Sequence, residues 1–182
     1  MLFRSCFVPA RQAQLSVVDK LFTRIGASDD LFSGQSTFMV EMLEVASILH
    51  NASDRSLILL DEVGRGTSTY DGISIAGAIT HYIHDKVGAR TLFATHYHEL
   101  TQLSDVFYAL SNYNMAIKEA GDQLLFTYRF QPGPADKSYG IQVAKMAGLP
   151  DTVISEAQHL LKKLESHASQ IAAGNPNQLS LF

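Results

Sequence analysis

The chain reads as an α/β protein with a mostly parallel sheet flanked by helices, and three observations predict it. Leu57-Ile58-Leu59-Leu60 is an unbroken apolar run, the pattern of a strand buried on both faces of a parallel sheet. A second apolar stretch, Thr91 to Thr95, follows after one helical segment, and strands alternating with helices pair in parallel. Of the 182 residues, 46% are hydrophobic and 18% charged, which suits one globular domain with a small appendage and excludes a disordered chain.

Each element has its own signal. Phe38, Met39, Met42, Leu43, Val45, Ala46 and Leu49 recur at helical spacing, so a helix is expected over Phe38 to His50, with Ser36 or Thr37 as N-cap. Leu57 to Leu60 is the central strand. Gly72 to Val87 is the next helix, closed by Gly88. Leu124, Phe126, Tyr128 and Phe130 alternate with Leu125, Thr127 and Arg129, the mark of a half-buried strand. With a turn at Glu119-Ala120-Gly121-Asp122, residues 110–130 become a hairpin at the sheet edge. Gln131-Pro132-Gly133-Pro134 is a boundary loop. Ile141 to Ala147 is a short helix stopped by Gly148. Pro150 opens a longer helix whose apolar stripe is Val153, Ile154, Ala157, Leu160, Leu161, Leu164 and Ala168. Gly174-Asn175-Pro176-Asn177 breaks that helix and begins a free tail.

Charge and cysteine usage exclude several classes. A net charge of −4 provides no electrostatic footprint for nucleic acid, so tight DNA binding by this chain alone is not expected. The one cysteine, Cys6, cannot form an internal disulfide and fits a reducing cytoplasm. No apolar run approaches the roughly 18 residues of a membrane span, and the N-terminus has no signal-peptide core.

The chemistry gathers after the central strand. Asp61 and Glu62 follow Leu60 directly, and the carboxyl ends of such strands are where α/β sheets bind ligands. This is the Walker-B layout of a nucleotide hydrolase: Asp61 helps hold Mg²⁺ and Glu62 polarises the attacking water. If the strand persists, the two side chains point in opposite directions and do different jobs. The bland alternative is a solvated acidic turn. Ser33-Gly34-Gln35-Ser36 precedes a helix N-terminus, where free N–H groups favour an anion. The alternative there is an ordinary capping loop. His96, at the end of the Thr91–Thr95 strand, is placed to donate to a γ-phosphate, although a lone histidine is more often structural. Arg65 and Asp71 sit in the loop after the acids, and local hydrogen bonds are an equal reading for them. His98 and Glu99 lack cysteine partners and are not read as a metal pair.

Asp61-Glu62-Val63-Gly64-Arg65-Gly66-Thr67-Ser68-Thr69-Tyr70-Asp71-Gly72 resembles a diagnostic block of the MutS family of DNA mismatch repair ATPases. Asp29-Asp30-Leu31 with Ser33 to Met42 resembles that family's form of the ABC-ATPase signature. Leu92 to Leu100 resembles its switch-histidine segment. Lys137-Ser138-Tyr139-Gly140 with Ala147-Gly148-Leu149-Pro150 resembles the start of its C-terminal helical region, and Cys6-Phe7-Val8-Pro9-Ala10 the strand after its P-loop helix. The likeness runs in order over about residues 6–166. It implies a P-loop-NTPase-like fold of ABC-ATPase type with a small helical dimerisation region. Residues 1–135 would be a partial ATPase domain, 136–170 the dimerisation helices, and 171–182 the tail. It also implies ATP or ADP with Mg²⁺ as cofactors. Ser33, Gly34, Gln35, Ser36 and Thr37, with Arg65 and Asp71, would face nucleotide across a homodimer, so that each site is composite. Gln178-Leu179-Ser180-Leu181-Phe182 resembles the bacterial sliding-clamp-binding pentapeptide, and MutL is a further implied partner.

One departure matters most. The sequence has no G-x-x-x-x-G-K-[ST], the loop whose amides and lysine cradle phosphates. Residues 1–5 do not match the family helix that leads back to it. The chain is therefore expected to be a fragment, a product of a split or interrupted frame, or a partial gene product. Mismatched DNA would be met only through upstream domains. Two functions compete: the ATPase portion of a bacterial-type mismatch repair protein, inactive alone, and a non-catalytic module for dimerisation and clamp docking.

Overall fold

The computed structural model describes residues 11–26, 36–120, 123–135 and 138–174. Cys6 to Ala10, Ser33, Gly34, Gln35, the turn residues Gly121 and Asp122, and the tail Gln178 to Phe182 lie outside the described residues. Two compact units divide the chain, one running to His96 and the other starting at Tyr97.

The first unit contains β1 (Leu21–Arg24), α1 (Thr37–Asn51), β2 (Leu57–Asp61), α2 (Thr69–Tyr82) and β3 (Arg90–Ala94). The strands form a parallel sheet in the order β1-β2-β3, with Phe22, Ile58 and Thr91 in one row and Arg24, Leu60 and Phe93 in another. Ser36 caps α1 by accepting from the Met39 amide at 3.2 Å. α2 starts at Thr69, before the expected Gly72, because Ser68 caps it and donates to Asp71 at 2.8 Å. α2 widens into a π-helical turn, Ile83–Val87, and stops at Gly88, whose left-handed backbone lets its amide return to the Ile83 carbonyl.

The core is built on one face of this sheet. Val45 and Ile48 of α1, Ile58 and Leu60 of β2, Val63, Ile79 and Ile83 form one buried cluster, with Phe22 and Phe93 against it. Ile58 is fully buried, which contributes about 1.5–3 kcal/mol. The expectation that β2 is buried on both faces is not met. Leu57 and Leu59 are half-buried, and Leu21 and Leu92, on the same face, are 59% and 63% exposed. The reason is topological. Strands in sequential order with right-handed crossovers place both connecting helices on one side; covering the other side needs a reversal of strand order. The helices thus flank the sheet on one face among the described residues.

The second unit opens with a 3₁₀ helix, His98–Asp105, followed by β4 (Tyr113–Ala120), β5 (Gln123–Pro132), α3 (Gly140–Met146) and α4 (Asp151–Gly174). β4 and β5 form the expected hairpin, but as a separate antiparallel sheet rather than an edge of the parallel one. A bulge between Met115 and Ile117 interrupts its register, and Tyr128 there has a φ of 52°. Bulges bend and twist a ribbon, which favours a free-standing pair over a flat sheet edge. The expected alternation is not kept: Leu124 is buried, whereas Phe126, Tyr128 and Phe130 are exposed. Val153, Leu160, Leu161 and Leu164 of α4 are exposed too, while Ile154 is buried. Among the described residues no helix is long and apolar enough to cross a membrane.

Candidate functional site

β2 delivers its two acids to the carboxyl end of the sheet. The strand ends at Asp61, and the Glu62 amide still donates to the Ala94 carbonyl of β3 at 2.8 Å. Glu62 then takes a left-handed φ of 54°. That conformation costs a side-chain-bearing residue on the order of 1–2 kcal/mol. Glu62 therefore leaves the strand, and its direction is set by this turn and not by strand alternation.

Three side chains meet there. Glu62 Oε1 lies 2.8 Å from His96 Nε2, just beyond β3. Glu62 Oε2 is held by Arg65 Nη1. Each pair is largely open to solvent: His96 and Arg65 side chains are 72% and 58% exposed, and Glu62 is about one-third exposed. Asp61 is half-buried at the strand end beside them.

The loop that follows is fixed by glycine. Gly64 has a φ of 95°, and a Cβ there would sit 2.7 Å from the Gly72 carbonyl oxygen. At Gly66 a Cβ would meet the Phe38 Cβ of α1 at 3.0 Å. Both close approaches press the loop onto its neighbouring helices. The Gly64 amide donates to Glu41 Oε1 at 2.6 Å, in the buried interior.

Of the residues singled out from the sequence, Glu62, His96 and Arg65 converge. Asp71 does not join them. It makes a reciprocal cap with Ser68, through its amide and its carboxylate. Ser36 and Thr37 stand exposed at the start of α1. Glu41, inside the Ser33 to Met42 segment but given no role there, bonds directly to this loop. Its signal was a carboxylate three residues after Phe38 and four before Val45, on the apolar face of the helix.

The acids suit a divalent cation only in part. No group of three or more His, Cys, Asp or Glu is placed to hold a metal among the described residues, so a cation at Asp61 would complete its shell with ligand oxygens and water. A nucleotide fits in part as well, because carboxylates and imidazole are present and the phosphate-cradling loop is absent from the sequence.

Residues 1–165 match the family model of MutS domain V. The chain belongs to the MutS family. It is 59% identical over 160 residues to the DNA mismatch repair protein MutS of Caldanaerobacter subterraneus, which covers 88% of this chain and 18% of that protein. It is 56% identical over 176 residues to the protein of that name from Lactobacillus delbrueckii, covering 97% of this chain and 21% of the relative. The protein of that name from Acetivibrio thermocellus is 59% identical over 159 residues, covering 87% of this chain and 18% of the relative. The chain thus spans about a fifth of the length of these MutS relatives.

Proposed function

We propose that this chain supplies the carboxylate, signature and histidine elements of a P-loop-type ATP hydrolase acting in DNA mismatch repair, and that a preceding segment supplies the phosphate cradle. The observation that carries this reading is the meeting of Glu62 and His96 at the carboxyl ends of adjacent parallel strands. ATP would be the source of the γ-phosphoryl group. Asp61 would help hold Mg²⁺, which would offset the charge of the phosphates. Glu62 orients the attacking water and takes up its proton, and His96 donates to the developing charge. Arg65 neutralises Glu62 until the site is filled. Ser36 and Thr37, at the N-terminus of α1, face the nucleotide of a second copy, so the working unit is a homodimer with composite sites. Mismatched DNA is contacted by other parts of a longer protein. MutL is a further partner, and the tail Gln178-Leu179-Ser180-Leu181-Phe182 docks on a sliding clamp through its apolar anchors.

The test compares two proteins. The chain alone should turn over no ATP, since phosphoryl transfer depends on positioning of the phosphates. A chimaera that joins the upstream part of the Caldanaerobacter relative ahead of this chain should turn over ATP with Mg²⁺, and Glu62→Gln should abolish it. An inactive chimaera that still binds ATP would favour the non-catalytic alternative, a dimerisation and clamp-docking module.

A further inference from the structure

We propose that Glu41 is a positioning residue that couples the Ser36 end of α1 to the loop carrying Glu62. The proposal rests on the reading of Glu62 given above and adds a route by which the site is controlled. Glu41 is 6% exposed, and its two oxygens have different partners. Oε1 accepts from the Gly64 amide at 2.6 Å, two residues beyond Glu62. Oε2 accepts from Arg24 Nη2 of β1 at 3.4 Å. Arg24 is itself 7% exposed, and its Nε lies 2.9 Å from Glu44 Oε2, an ion pair whose angle is too poor for a hydrogen bond.

Packing alone does not call for a carboxylate here. The rest of the buried α1 face, Val45 and Ile48, is apolar. Replacing a buried ion pair with apolar residues of similar size is often neutral or stabilising, so Glu41 needs another reason. A charged acceptor makes a short, strong bond to a backbone N–H and fixes its direction. Glu41 therefore ties the loop to the second turn of α1. Phe38, one turn earlier, braces Gly66 of the same loop. A shift at the cap residue Ser36 moves Phe38 and Glu41 as part of one rigid helix, and the two lie against the loop just after Glu62, at Gly66 and Gly64. Occupation of the α1 N-terminus by a second copy's nucleotide is thereby transmitted to the Glu62 carboxylate.

Two measurements test this, and only one depends on activity. In the 182-residue chain, the Gly64 amide resonance should lie far downfield. Ser36→Ala should shift the Gly64 and Glu62 amides. In an Arg24→Met/Glu41→Met background, which keeps the interior filled and avoids an unpaired charge, that response should vanish. An unchanged response in the double variant overturns the proposal. In the chimaera, Arg24→Met/Glu41→Met should lower turnover at least about tenfold with the KM for ATP unchanged. Glu41→Gln, which keeps an acceptor for Gly64, should restore most of it. Turnover within about twofold of the parent overturns the proposal even if the ATPase reading stands. An inactive parent chimaera sinks the ATPase reading alone, and the amide response then decides the coupling.

Discussion

His96 Nε2 lies 2.8 Å from Glu62 Oε1, so the histidine after β3 and the acid after β2 meet across neighbouring strands. Arg65 occupies the other carboxylate oxygen. Each oxygen of the Glu62 carboxylate thus has a side-chain partner at this site. These contacts are solvent-exposed, and such pairs contribute about 1 kcal/mol or less each. On the function proposed above, an incoming polyphosphate would displace them. In the chimaeric ATPase, Glu62→Gln is expected to cut turnover by about 10²–10⁴-fold while ATP retention on filters persists. His96→Ala should also slow turnover, by a smaller factor. Full activity in the His96 variant would reduce that residue to a surface partner.

The carboxylate loop tolerates no side chain at Gly64. Its φ of 95° disfavours any L-residue, and an added Cβ would clash with the Gly72 carbonyl at 2.7 Å. Gly26 provides the control, because it shares a positive φ of 77° but has nothing within 4 Å. Gly26→Ala should cost about 1 kcal/mol from backbone strain, and Gly64→Ala about 2–4 kcal/mol because the loop must also move. Urea unfolding of the two variants measures the gap. Equal losses would mean that the loop yields freely.

The two faces of the parallel sheet should respond differently to truncation. Ile58 is completely buried in the helix-covered face, whereas Leu92 is 63% exposed on the other. Ile58→Ala is expected to destabilise the chain by about 2–5 kcal/mol, and Leu92→Ala by less than about 0.5 kcal/mol. The open face, with Leu21 and Leu92, should also bind an apolar dye, and Leu92→Lys should weaken that signal. Matched losses from Ile58→Ala and Leu92→Ala would show that the open face is covered in solution.

Local periodicity made most elements legible. The spacing from Phe38 to Leu49 marked α1, whose observed span is Thr37–Asn51, and Gly88 marked the stop after Val87. Properties set by distant pairing were not legible. The burial of only one face of β2 follows from strand order, which a single apolar run does not encode. The bulge at Tyr128 depends on register with β4. At the site, Glu62, Arg65 and His96 were singled out from the sequence. Their meeting was not, because it needs the β2–β3 pairing of Asp61 with Ala94. Glu41 was hidden differently. A glutamate within a helix reads as solvated until the fold places it beside the Gly64 amide and Arg24.

The entry to β1 should be sensitive to acid. Asp19 precedes the strand and accepts from both Ser53 and Ser56 hydroxyls, the latter at 2.9 Å, which ties it to the turn before β2. The Ser53 hydrogen bond chiefly holds its carboxyl below the ordinary range, helped by Ser56, the Lys20 backbone and the Arg55 charge, and opposed by desolvation. A depressed folded value means that the contribution to stability is fully present above the unfolded value near pH 4. It is lost as pH falls through the still lower folded value. Asp19→Asn removes the titration. Thermal unfolding should then show a constant gap between parent and variant from about pH 7 down to about pH 5, narrowing below about pH 4. A gap that stays the same at about pH 3 would show that Asp19 makes no native contact worth a proton.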